Sequence, residues 1–233
     1  VEAIAKGQNR LLLVMATGTG KTYTAFQIIY RLLKSGLKKK VLYLADRNIL
    51  VDQSIAQDFQ PLEKTIHKIN FAKDDSTTIT SHEVYFSLYQ QLAGDEEELE
   101  TDDTVSRFEQ LFNKDFFDLV VVDECHRGSA KTASNWHKIL EYFSSATQLG
   151  MTATPKETKD VSNLSYFGEP VYTYSLKEGV NDGFLAPFRV INIKTNIGDG
   201  WRPTRGQRDK NGVLIEDRIY TNSDFDYKII LDG

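Results

Sequence analysis

Leu11-Leu12-Leu13-Val14-Met15-Ala16 runs directly into Thr17-Gly18-Thr19-Gly20-Lys21-Thr22, and the reading of residues 11–22 decides the fold. The first half is a continuous apolar run, the pattern of a strand buried on both faces. The second half is a glycine turn that opens a helix. From Lys21 to about Ser35, Ala25, Ile28, Ile29, Leu32 and Leu33 fall on one face, and Gly36 supplies the stop. Strand, glycine turn and helix in this order are the context that a phosphate-binding loop requires.

The chemistry follows from that context. Glycines let the backbone turn tightly and present N–H groups to phosphate oxygens. The helix N-terminus adds a partial positive charge. Thr17, Gly18, Thr19, Gly20, Lys21 and Thr22 are therefore the candidate nucleotide-binding residues, with Lys21 reaching the β- and γ-phosphates of ATP and the Thr22 hydroxyl on Mg²⁺. The plain alternative is a chance glycine turn with a surface lysine.

Working outward, the same texture repeats. Val41 to Ala45 is a second apolar strand, and Asn48 can cap a helix running towards Phe59 and Pro61. Thr65 to Ile69 and Thr77 to Thr80 are short strand candidates, and Val84 to Leu88 is another strand. Residues 104–112 suit a helix. Asp118 to Asp123 is a buried strand ending in charge, at the segment Asp123-Glu124-Cys125-His126. Trp136, Ile139, Leu140 and Phe143 form a helical stripe, and Ala146 to Met151 is a strand closed by Thr152-Ala153-Thr154-Pro155. Apolar strands alternating with helices predict an α/β fold, a mostly parallel central sheet covered by helices on both faces. Ligands bind at the carboxyl ends of strands in such sheets, so the polar segments at strand ends should share one edge. A first domain is expected over residues 1–187. Beyond it, residues 188–233 read as a β-rich extension and linker, with a strand over Phe188 to Thr195, a Gly/Arg-rich loop and an Asn211-Gly212 hairpin turn.

An acid at the mouth of a buried strand is poorly placed unless it serves something. In phosphate-loop ATPases the first acid, here Asp123, holds Mg²⁺, and the next, Glu124, polarises the attacking water. Lys21, Asp123 and Glu124 are thus the candidate catalytic residues. Cys125 lies among negative charges that raise a thiol's pKa, which argues for a packed side chain rather than a nucleophile. His126 is either a polar link from the ATP site to a neighbouring surface or a loop histidine, and His67, His82 and His137 show no metal-ligand spacing with it.

Bulk properties set limits. The chain has 233 residues and a net charge of −5, which is not the balance of a general nucleic-acid binder, so a DNA-facing groove would have to be locally basic. Lys38 to Lys40 read as a solvated loop, and Asp95 to Asp103 as an acidic loop. The single cysteine fits a reducing compartment, with a cytoplasmic location expected. No apolar run approaches the ~18–20 residues of a membrane span. The opening Val-Glu-Ala-Ile-Ala-Lys reads as the end of a helix inside a longer protein.

The segments Thr17 to Thr22, Asp123 to His126 and Thr152 to Thr154 together resemble the first three motifs of superfamily 2 helicases, and the loop carries Met15 where the general form has glycine, as helicase-like motors do. Leu44 to Gln53, Asp123 to Gly128, Gly150 to Pro155, Tyr166 to Tyr172 and Ser175 to Pro187 are similar to the motor (R) subunit of type I restriction-modification enzymes. The resemblance covers most of residues 8–190. It implies a RecA-like P-loop NTPase domain, an ATP-binding helicase domain of an ATP-driven double-stranded DNA translocase and endonuclease. A second RecA-like domain in the same full-length chain and the methyltransferase and specificity subunits of the complex are the implied partners. Thr152 and Thr154, with His126, would couple nucleotide state to DNA grip. Arg47, Asn48 and Ser87 match segments that touch the DNA backbone. For each of these residues, ordinary strand-end or loop hydrogen bonding is the competing explanation. Another superfamily 2 DExH helicase, or a nucleotide-dependent assembly module, are the rival readings.

Overall fold

The computed structural model describes residues 1–45, 52, 54–75, 79–88, 108–125, 137–154, 163–187, 202–209 and 211–219. Among these, seven strands form one sheet: β1 (Arg10–Met15), β2 (Val41–Ala45), β3 (Ile66–Lys68), β4 (Val84–Leu88), β5 (Leu119–Val122), β6 (Thr147–Thr152) and β7 (Tyr172–Tyr174). Their order is β3-β4-β2-β5-β6-β1-β7, and every pair is parallel. The described helices are α1 (Glu2–Ala5), α2 (Lys21–Lys34), α3 (Asn163–Phe167) and α4 (Leu176–Asn181), with further helical turns at 108–111 and 137–142.

Alternation along each strand divides the core in two. Leu11, Leu13, Met15, Tyr43, Ala45, Phe86, Val121 and Met151 face Ala25, Phe26, Ile29 and Leu32 of α2. Leu12, Val14, Leu42, Leu44, Val120 and Val122 face the other way, onto Phe108, Phe112, Ile139, Leu140 and Phe143. β2 and β5 have an apolar layer on both sides, which is why their sequences are apolar without a break, whereas the neighbouring β6 also buries Thr147, Gln148 and Thr152.

Two sequence expectations change. Ile79–Ser81 is a 3-10 turn, not a strand. Its carbonyls are taken by side chains: Tyr85 Oη donates to Ile79 O at 2.6 Å and Lys40 Nζ to Thr80 O at 2.6 Å, in place of a ladder. The lysine cluster is not simply solvated either. Lys38 Nζ donates to Thr147 Oγ1 at 2.8 Å, Lys40 Nζ also reaches His82 O, and the Lys39 and Lys40 amides donate to Asp118 Oδ2 at 2.7 and 3.0 Å. These bonds tie together the starts of β2, β5 and β6, the edge opposite the glycine turn. Burial lowers the Lys40 pKa from its ordinary value.

The chain divides into two compact units, Val1–Ala186 and Pro187–Gly233. In the second, an antiparallel bridge joins Arg208 and Leu214 around the Asn211-Gly212 turn, where Gly212 has φ +80°. The strand expected over 188–195, the acidic stretch 95–103 and Trp136 lie outside the described residues. No helix among the described residues is long and apolar enough to cross a membrane.

Candidate nucleotide site

The glycine turn leaves the carboxyl end of β1 and enters α2. Gly18 and Gly20 both have φ +83°, the left-handed region that a side chain at Cβ disfavours. The turn is held from inside: Thr19 Oγ1 donates to Ala16 O at 2.6 Å and the Ala16 amide to Tyr174 O at 3.0 Å. The helical ladder of α2 begins with Thr24 N to Gly20 O at 2.9 Å, so the amides of Lys21, Thr22 and Tyr23 precede the first helical bond and point out of the helix end.

The acids follow β5. Sheet order places β6 between β5 and β1, and all three end at the same edge. The turn after β5 is fastened to both its neighbours, with Asp123 N on Leu44 O at 2.9 Å and Cys125 N on Met151 O at 3.0 Å. Glu124 has φ +49°, unusual for a residue with a side chain and costing about 1–2 kcal/mol. That backbone orientation accompanies the central contact of the site: Glu124 Oε1 lies 3.0 Å from Lys21 Nζ, with the side chains only 17% and 9% exposed. Lys21 Nζ also donates to Met15 O at 3.4 Å.

Asp123 is held at both oxygens. Oδ1 accepts from the Glu124 amide at 2.9 Å, and Oδ2 from Tyr43 Oη at 3.0 Å. Burial pushes its carboxyl above the usual range and the Glu124 charge adds to this, while the Tyr43 bond and the Lys21 charge oppose it. Cys125 is buried, and burial with the adjacent acids pushes its thiol up to about 12, so it is a packed side chain and no nucleophile. A carboxylate fixed in this way beside a hydroxyl-bearing loop is a hard oxygen donor set. It suits Mg²⁺, which is held by one or two protein oxygens and completed by phosphates and water.

Thr152 Oγ1 accepts from the Thr154 amide at 3.1 Å and donates to Thr154 O at 3.0 Å, closing the turn after β6 beside the acids. Ser87 is 1% exposed inside β4, between β2 and β3, so its expected DNA contact finds no support in its exposure. Arg47, Asn48 and His126 lie outside the described residues.

Sequence reasoning missed two features. Tyr43 looked like one more apolar residue of a buried strand. The segment after β7 also lies against the glycine turn: α4 is capped by Ser175, whose Oγ accepts from Glu178 N at 3.2 Å, and the chain then folds back with Leu185 N on Gly179 O at 2.9 Å. A Cβ on Gly179 would stand 2.8 Å from Leu185 Cδ1 and 3.1 Å from Thr19 Cγ2. Gly179→Val should therefore overpack this seat and lower stability by about 1–3 kcal/mol. Thermal unfolding reads that as a Tm several degrees lower, and an unchanged Tm would mean that α4 can move away freely.

A parallel sheet with a glycine turn, a lysine and an acid pair at one edge defines a RecA-like α/β domain. The helicase domain of Hef from Pyrococcus furiosus has the same fold, with a TM-score of 0.51 at 24% identity over 74% of this chain and 36% of that one. The family model for ResIII, the type III restriction enzyme res subunit, matches residues 1–157, and the chain belongs to that family. It is 55% identical to the type I restriction enzyme EcoAI endonuclease subunit of Escherichia coli over 100% of this chain and 27% of that protein. A fragment described as an HsdR subunit of a type I restriction enzyme from Vibrio vulnificus YJ016 superposes with a TM-score of 0.57 at 38% identity, covering 80% of this chain and 30% of the other. The chain thus spans about a quarter of the length of its E. coli relative.

Proposed function

We propose that residues 1–187 are the ATP-binding half of a double-stranded DNA translocase motor, within the R subunit of a type I restriction-modification enzyme. The Lys21–Glu124 contact carries this reading, because it sets the glycine turn and the acid pair within one ligand's reach at the carboxyl edge of the sheet. The similarity to the EcoAI subunit supports the type I assignment over other DExH helicases.

In this reading the turn from Thr17 to Thr22 cradles the phosphates, and Lys21 exchanges Glu124 for the β- and γ-phosphates. Thr22 and Asp123 would hold Mg²⁺, which would supply charge neutralisation on the phosphates. Glu124, released from Lys21, orients the attacking water. Thr152, Thr154 and His126 relay nucleotide state, and Arg47 and Asn48 touch the DNA backbone. A second RecA-like domain supplies the closure over the γ-phosphate, and methyltransferase and specificity subunits choose the DNA site. The chain by itself should bind nucleotide weakly and show almost no DNA-stimulated turnover.

Soaking a non-hydrolysable ATP analogue with Mg²⁺ into crystals tests the site. The β-phosphate should lie on the amides of residues 18–22, with the metal between Thr22 and Asp123. A phosphate bound elsewhere, or strong DNA-stimulated hydrolysis by residues 1–233 alone, would count against the half-motor.

A further inference from the structure

The geometry points to Tyr43 as a positioning residue for the metal-holding carboxylate, a role that rests on the nucleotide site proposed above. Parallel register pairs Tyr43 with Val121, so Asp123 stands two residues further along the neighbouring strand and on the same face of the sheet. From there the phenol reaches forward along the strand direction to Asp123 Oδ2 at 3.0 Å. The residue is 1% exposed. Its ring is packed between Phe59, with centroids 5.7 Å apart, and Phe86, 4.8 Å apart, and Phe59 in turn meets Phe26 of α2 at 5.4 Å. A ring held between two aromatic neighbours, one of them backed by Phe26, leaves the hydroxyl little freedom beyond rotation of its O–H bond.

The consequence is directional. With Oδ1 on the Glu124 amide and Oδ2 on Tyr43 Oη, the carboxylate cannot turn about its terminal bond without breaking one of the two. The orientation of the carboxylate is therefore set before any metal arrives. Hydrogen bonds to a ligating carboxylate typically change metal affinity by 10- to 100-fold when removed. The tyrosine also joins the metal ligand to the packing of α2, the helix whose first turn carries Lys21 and Thr22, so one side chain sets the acid relative to the loop.

The test uses the full 233-residue chain and a fluorescent ATP analogue, read as binding rather than turnover. Its affinity is titrated with Mg²⁺ and measured separately in EDTA. Tyr43→Phe, which keeps the ring, should raise the Mg²⁺ midpoint roughly 10-fold and leave affinity in EDTA within about 2-fold. Incorporation of p-aminophenylalanine at position 43, which restores a donor, should return the midpoint to within about 3-fold of the parent. An unchanged midpoint in Tyr43→Phe, with Asp123→Ala abolishing the Mg²⁺ dependence, overturns the role of Tyr43 and leaves the nucleotide site standing. Equal weakening with and without Mg²⁺ also overturns it, since that is the result of a purely structural tyrosine. Mg²⁺ dependence that survives Asp123→Ala removes the site reading and this inference together.

Discussion

Glu124→Gln in the intact protein should lower ATP hydrolysis by about 10²–10⁴-fold while nucleotide remains bound. The amide keeps the shape of the side chain and cannot take a proton from the attacking water. Nucleotide affinity should hold or rise. In the nucleotide-free state Glu124 Oε1 competes for Lys21 Nζ at 3.0 Å, and the glutamine competes without charge. Steady-state hydrolysis and equilibrium binding, measured separately, give the two numbers. Hydrolysis within about 10-fold of the parent would make Glu124 a structural partner of Lys21 and no more.

Lys21→Ala should produce the complementary result, with loss at the binding step. A charge-assisted hydrogen bond contributes about 1.5–3 kcal/mol. Loss of the contacts to two phosphates should therefore weaken ATP at least ~100-fold. The same substitution should affect the nucleotide-free fold. Removing one member of a buried ion pair leaves the other charge uncompensated, at a cost of about 3–5 kcal/mol in fully buried cases. Glu124 is 17% exposed and its backbone is already in the left-handed region, so the loss should fall at or below the lower end, about 2–3 kcal/mol. Thermal unfolding without nucleotide separates this from the binding defect. Lys21→Met, which restores much of the apolar stem, should recover part of the stability and none of the affinity. Hydrolysis by the intact protein that survives Lys21→Ala would remove the ATPase reading.

Together these substitutions describe a site held shut on itself. Lys21 and Glu124 satisfy each other where phosphates and water are proposed to act, and Met15 O takes a further share of the ammonium. Binding of a triphosphate would replace one anionic partner of Lys21 by another, so the gain in affinity is the difference between the two. Tyr43 and the seat of Leu185 against Gly179 lie outside that exchange. They keep the acid and the loop in register while Lys21 changes partner.

Whatever depends on neighbours in the chain was legible from residues alone. Leu11 to Ala16, Val41 to Ala45 and Leu119 to Val122 are apolar at every position because both faces of a central parallel strand are covered, and all but Ala16, which opens the glycine turn, lie in strands of the structure. The glycine turn, its lysine and the acid pair stand at strand ends because a tight turn and an anion-binding helix start are local requirements of the backbone. Tertiary structure alone decided what lies across the sheet. No spacing announces that β6 separates β5 from β1, that the Tyr43 hydroxyl meets Asp123 two residues along the next strand, or that Leu185 lies over Gly179. It also decided that Ser87 is enclosed and that Lys40 ties strand starts together. Local pattern determines which way a side chain points from its own strand, while the partner it meets depends on strand order and register, which come from how the whole chain buries its apolar faces.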